Sequence, residues 1–316
     1  MLAAFLAFAG ALVYGSADFL GGLAARRLRS VVVTATAAFA GMVLLLAAIP
    51  VLGGTWRAED MLWGALSGVT GAVAIGLLYA CLAVGPMSIL SPVTAVVSAI
   101  APMLWGLIVD REQLAPTGYL GLALAIVAIV LVAFLPGEQI IRPSARGLTM
   151  AAGSGLAIGA FLILIDQTSA ESGVLPLVAN RAVGGIITGT IAAILVVAGV
   201  RRGRRAADGL IASGMHLGAT PTGHADVGHA AAPPLPTVRR SWILAIACGC
   251  VDAVANVLLL LALRSDGELA VVSALTALYP AGTVVLAAVV LRERIAGIQW
   301  AGLALALLAG TLLALG

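Results

Sequence analysis

Apolar residues run along this chain in long stretches that are hydrophobic all round, broken by short clusters of charge, glycine and proline. A helix that crosses a membrane needs about 20 mostly apolar residues, each advancing it about 1.5 Å through a hydrocarbon core about 30 Å thick. Ten stretches meet that requirement, and helices are predicted near 3–24, 31–52, 62–83, 88–109, 116–135, 148–167, 175–199, 241–262, 269–291 and 297–315. Most connections between them are a few residues long, as at Arg26–Arg29, Asp110-Arg111-Glu112 and Arg264–Glu268. Neighbouring helices are therefore expected to be antiparallel and closely packed. Strands of a spanning β-barrel would be about ten residues long with dyad alternation, a pattern these continuous runs do not have.

Composition narrows the class further. Of 316 residues, 62% are hydrophobic and 10% charged, with a mean hydropathy of +1.14. Soluble domains carry about 25% charged residues, so the charge here cannot coat a water-soluble surface. Soluble enzyme, nucleic-acid binder and disordered chain are excluded, and an all-α integral membrane protein remains. The first 25 residues lack a positive region ahead of their apolar stretch, so they read as a spanning helix and not as a cleaved signal. Segment 200–240 breaks the pattern: it opens on Arg201-Arg202-Gly203-Arg204-Arg205, closes on Pro233-Pro234-Leu235-Pro236 and holds His216, His224 and His229. Its composition is that of a flexible solvated linker.

All seventeen basic residues are arginines. Thirteen lie in the connections after the first, fifth, seventh and ninth stretches, three (Arg57, Arg111, Arg264) in the other set, and Arg181 within a span. The positive-inside rule places the richer set in the cytoplasm, which puts both termini outside.

The two halves of the chain resemble each other. Ser91-Pro92-Val93-Thr94-Ala95, Asp110-Arg111-Glu112 and Gly121-Leu122-Ala123-Leu124-Ala125 align with Val272-Ser273-Ala274-Leu275-Thr276, Leu291-Arg292-Glu293 and Gly302-Leu303-Ala304-Leu305-Ala306 at a constant offset of 181. Five helices per half is an odd number, so the second half is expected to insert upside down relative to the first. Inverted repeats of this kind mark secondary carriers, whose substrate lies at the repeat interface near the midplane. The expected units are 1–137 and 146–316, the second interrupted by the linker at 200–240.

The sequence resembles the drug/metabolite transporter superfamily, and within it the ten-helix EamA-type proteins, over essentially its whole length. The residues that carry the resemblance are Tyr14-Gly15-Ser16-Ala17-Asp18-Phe19-Leu20-Gly21-Gly22, Leu78-Tyr79-Ala80 and Leu82-Ala83-Val84-Gly85-Pro86-Met87-Ser88 in the first half. Leu278-Tyr279-Pro280-Ala281-Gly282-Thr283-Val284 and Leu291-Arg292-Glu293-Arg294 carry it in the second. The resemblance implies two inverted five-helix halves around a central cavity, and the movement of amino acids, metabolites or drugs. The first half departs at Asp110-Arg111-Glu112-Gln113, where the family usually has Gly-Glu-Arg, and the His-containing linker is unusual.

A charge in the bilayer core costs at least about 2.5–3.5 kcal/mol on insertion scales, so it faces a cavity or a partner. Asp18, Arg181 and Asp252 are in that position. Asp18 lies one turn after Tyr14 on the same helix face, where a carboxylate can bind a cation or carry a proton, or pair with Arg26 or water near the interface. Asp252 and Asn256 form an i, i+4 polar stripe, with Cys248 one turn earlier. Arg181 is placed to neutralise an aspartate or to hold a substrate carboxylate. Hydroxyls recur in corresponding helices of the two halves: Ser91, Thr94 and Ser98 in one, Ser273, Thr276 and Tyr279 in the other, with Tyr79 nearby in the first. They suit a pseudo-symmetric cavity wall, although span hydroxyls also satisfy their own backbone carbonyls. The small-residue pairs and triplets Gly64/Gly68/Gly71, Gly155/Gly159 and Gly185/Gly189 read as close helix contacts.

No other chemistry stands out. The three cysteines, Cys81, Cys248 and Cys250, lie within spans and imply neither a disulfide framework nor a zinc site. No nucleotide-binding, zinc-protease or nucleophile-elbow motif is present, so no catalytic residue, metal or cofactor is expected. The sequence predicts a carrier in the cytoplasmic (prokaryotic inner) membrane, a monomer or homodimer. It would export a small polar or amphipathic metabolite by alternating access, with protons as coupling ion and the lipid bilayer as its surroundings. A membrane-embedded sensor or enzyme that uses the cavity without transport is the alternative.

Overall fold

The computed structural model describes residues 1–82, 87–133, 144–203, 205–211, 237–265, 268–290 and 296–315, with the backbone alone described at 79–82, 87–89, 91–92, 133, 207–208 and 287–288. Apart from one isolated bridge between Leu28 and Ile211, the regular structure among them is helical. The α-helices are α1 Leu2–Ala25, α2 Ser30–Leu52, α3 Ala58–Leu82, α4 Met87–Ile108, α5 Pro116–Ala133, α6 Ala145–Asp166, α7 Leu175–Arg201, α8 Ala206–Leu210, α9 Val238–Arg264, α10 Leu269–Thr276, α11 Tyr279–Val290 and α12 Gly297–Leu315. Each predicted stretch coincides with helix over most of its described residues. Among the described residues, eight spans are long and apolar enough to cross a membrane, and Val93–Ile108 and Pro116–Val132 are shorter apolar helices.

Two expectations need correction. The stretch 269–291 is not one helix but α10 and α11, broken at Ala277-Leu278. Pro280 has no N–H to offer the carbonyl of Thr276, four residues back. The chain tightens there instead, with Leu278 N donating to the Leu275 carbonyl at 3.1 Å and Ala281 N to that of Leu278 at 2.9 Å. The 200–240 segment is also not a linker throughout. It begins within α7, forms α8 and ends inside α9. The α8 end is tied to the α1–α2 turn, where Arg29 N donates to the Leu210 carbonyl at 2.9 Å and Arg29 Nε to that of Ile211 at 3.3 Å. Its three histidines lie outside the described residues.

The distribution of side chains is that of a protein solvated by hydrocarbon. Phe5, Val43, Leu62, Ile186, Trp300 and Leu307 face outward, whereas Ser67, Thr94, Asn180, Asn256 and Ser273 are buried. Helices α1 and α9 lie together, as do α3 and α6, α4 and α6, α3 and α7, α2 and both α7 and α9, and α5 and α12; α1 also packs on α10 and α11. The main apolar core, which includes Met103, Leu122, Ile129, Leu275, Leu278 and Leu313, seats the broken helix against α4, α5 and α12. Gly15 permits the approach of α1 to α11: a Cβ there would meet the Tyr279 carbonyl and Gly282. The Thr283 hydroxyl donates to the Gly15 carbonyl at 3.1 Å across that contact. Tyr14 and Asp18 are thereby held beside the helix break.

Candidate functional site

Two cavities meet in the middle of the bundle. The first, about 170 Å³, is lined by Asp18 and Gly21 of α1, Thr34 of α2, Gly68, Gly71 and Ile75 of α3, Asn180, Arg181 and Thr188 of α7, and Cys248 and Asp252 of α9. It extends from the two aspartates toward the face where α1 ends and α2 begins. The second, about 160 Å³, is lined by Tyr14 and Asp18 of α1, Ser98 of α4, Ile158, Phe161 and Leu162 of α6, Asp252, and Thr276, Ala277 and Tyr279 at the break between α10 and α11. Asp18 and Asp252 line both.

The two aspartates differ in their partners. Asp252 forms an ion pair with Arg181 Nη2, and the two side chains are 21% and 16% exposed. Among the described residues Asp18 has no hydrogen-bond or ion-pair partner, Arg26 included. The sequence-derived stripe on α9 is real and links to α1: the Tyr14 hydroxyl donates to Asn256 Oδ1 at 2.6 Å, and Asn256 Nδ2 donates to the Asp252 carbonyl at 2.8 Å. Asn180 Nδ2 donates to Ser67 Oγ at 2.8 Å, fixing α7 against α3 one residue before Arg181.

Of the residues singled out in the sequence, Tyr14, Asp18, Ser98, Arg181, Cys248, Asp252, Thr276 and Tyr279 line the cavities, and Asn256 positions Tyr14. Thr94 and Ser273 do not line them. Thr94 donates to the carbonyls of Leu90 and Ala151, each at 3.1 Å, and Ser273 to that of Ala270 at 3.0 Å, so their hydroxyls are occupied by backbone. Tyr79 and Ser91 lie outside the described side chains. The glycine series is mixed: Gly64, Gly68, Gly155 and Gly159 meet neighbouring backbone or side chains closely, whereas Gly71 meets nothing and opens into the first cavity. Phe161, Thr34 and Thr188 were not legible as lining residues, because nothing in an apolar run marks which side faces inward.

The solved structures that match include a crystal structure with a TM-score of 0.70 over 99% of this chain and 98% of that chain, at 14% identity. That likeness concerns the fold. No curated protein matches the sequence. Residues 229–315, which include α9 with Asp252 and the broken helix with Thr276 and Tyr279, match the model of the EamA-like transporter family.

With eight helices long and apolar enough to cross a membrane among the described residues, the chain is a multi-pass membrane protein. Its face where α1 begins is tied by two carboxylates: Asp60, which nothing in the sequence marked, and Glu112 of the Asp110-Arg111-Glu112 connection. Asp60, at the start of α3, accepts from Ser169 N at 3.1 Å, from Ser169 Oγ at 2.5 Å and from Ser172 Oγ. Arg264, at the end of α9, donates to the carbonyls of Ser169 and Gly173 at 2.8 and 2.7 Å. Glu112 caps α10, accepting from Leu269 N at 2.5 Å and Ala270 N at 2.9 Å. Beside it, burial and the Glu112 charge raise the Glu268 carboxyl above its ordinary range.

Proposed function

We propose that this chain is a secondary carrier that exports a small polar or amphipathic metabolite across the cytoplasmic membrane by alternating access, with protons exchanged at Asp18. The observation that carries the reading is the meeting of two cavities at Asp18 and Asp252. A residue that lines both can hand a bound species from one to the other. The Asp60, Arg264 and Glu112 contacts tie the face where α1 begins, while the first cavity lies toward the opposite face, an asymmetry expected of one state of an alternating cycle.

The inverted-repeat reading, with units 1–137 and 146–316, draws support from how the helices pair. Exchanging each helix of the first half for its counterpart in the second turns the α1·α9 contact into α6·α3 and α3·α7 into α9·α2. It turns α4·α6 into the contact of α10 and α11 with α1. The Arg-rich connections would face the cytoplasm and the tied face the exterior. Cargo, protons and the lipid bilayer are the partners of this reading, with the protein a monomer or homodimer. It assigns no catalytic residue, metal or cofactor.

The test begins with a thermal-shift screen of amino acids, nucleosides and quaternary ammonium compounds on the purified protein. Flux of each hit is then measured in proteoliposomes with an imposed pH gradient. Saturable, gradient-dependent flux is expected. Normal coupled flux in the Asp18→Asn, Asp252→Asn double variant would sink proton coupling at these residues, and binding without flux in the wild type would sink the carrier itself.

A further inference from the structure

The second cavity has a composition that selects among cargos. Two carboxylates and the rings of Tyr14, Phe161 and Tyr279 line it, and among the described residues no basic one does. The charge of Asp252 is answered by Arg181, which lines the other cavity. Asp18 is left, among the described residues, as an unanswered carboxylate. Two hydroxyls add a second, independent sign of a missing ligand. Thr276 Oγ1 and Tyr279 OH are buried without any hydrogen-bond partner, and Thr276 is only 8% exposed. Buried polar groups are ordinarily paired, and one left unmade is costly.

We propose that this cavity binds a small organic monocation, an amine of roughly one ring, with its ammonium on Asp18. A protonated amine carries several N–H donors, which Asp18 and the oxygens of Thr276 and Tyr279 can accept. Aromatic faces attract cations, more strongly where water is excluded. Ile158, Phe161 and Leu162 supply an apolar wall for the body of the molecule. Size follows from the volume of about 160 Å³, since an apolar cavity of about 150 Å³ accommodates one benzene ring. That the bound amine is cargo rests on the carrier reading above; that the site takes a monocation does not.

A proton on Asp18 abolishes the charge that the amine meets, so acid weakens binding. The titratable groups facing Asp18 are Tyr14 on its own helix, Cys248 and Asp252 on α9, and Tyr279 on α11, with Arg181 of α7 acting through Asp252. Helices α2, α4, α10 and α12 carry no charged residue, and α6 carries Arg146 and Asp166 only near its ends.

Benzylamine, benzyl alcohol and benzoate are matched in shape and differ in charge. Their binding to the full chain in detergent, measured by calorimetry at neutral pH and again in acid, tests the proposal. Benzylamine is expected to bind about tenfold or more tightly than either analogue, as a charge-assisted hydrogen bond dictates, and to lose affinity in acid. Asp18→Asn should remove the preference. If that variant does not fold, Tyr279→Phe and Thr276→Val should each weaken benzylamine more than benzyl alcohol. Equal or tighter binding of benzoate or benzyl alcohol, or no binding of benzylamine, overturns the site assignment. Proteoliposome flux separates the two readings. Benzylamine that binds but never crosses leaves the site standing and overturns the carrier; flux of benzoate without benzylamine binding does the reverse.

Discussion

Arg181 of α7 and Asp252 of α9 form an ion pair between the two central cavities, and that pairing makes the site's two aspartates physically unequal. Removing one partner of a buried pair leaves an uncompensated charge, which costs about 3–5 kcal/mol. Arg181→Met and Asp252→Asn should each lower stability on that scale. The double variant should recover a large part of the loss. A thermal double-mutant cycle on protein in detergent measures the coupling, and strictly additive losses would refute the pairing.

Asp18→Asn should behave in the opposite way. Its carboxylate has no partner among the described residues, so a neutral isostere removes a desolvated charge without stranding another. The unfolding midpoint should stay level or rise while flux falls. A loss of stability matching that of Asp252→Asn would mean that Asp18 is structural.

Glu112→Ala should destabilise by about 0.5–2 kcal/mol, the usual cost of losing a helix N-cap, because Leu269 N and Ala270 N lose their acceptor. Hydrogen exchange should rise first at the start of α10, on the face tied by these contacts. Unchanged protection there would show that the cap does not hold that helix.

Gly15→Ala places a methyl against the Tyr279 carbonyl and Gly282. Backbone cannot yield as a flexible side chain does, so a cost of about 1–3 kcal/mol is expected. Flux should suffer with it, since the same contact sets Tyr14 and Asp18 beside the helix break. Gly71→Ala, which meets nothing, is the control for stability.

Orientation has its own test. Alkaline phosphatase fused after Leu315 should be active and a fluorescent protein at the same place dark, because the Arg-rich connections belong inside. The converse pair of signals would invert the orientation.

How much of this was legible along the chain follows from range. Spans such as Leu2–Ala25 and Gly297–Leu315 could be read directly, since the bilayer requires each helix to be apolar over its own length whatever it packs against. Asp18, Arg181 and Asp252 stood out for the same local reason, as charges where hydrocarbon tolerates few. The break at Ala277-Leu278 carried a local signal in Pro280, but proline alone does not say whether a helix bends or stops. What only the tertiary structure decided was the division of roles. Arg181 lies 71 residues from Asp252 and 163 from Asp18, and no periodicity says which carboxylate it reaches. Helix packing placed the guanidinium against Asp252 and left Asp18 without a partner among the described residues. The sequence alone established a membrane protein with three buried charges; because Coulomb energy depends on separation in space and not along the chain, the fold determined which of the three is unanswered.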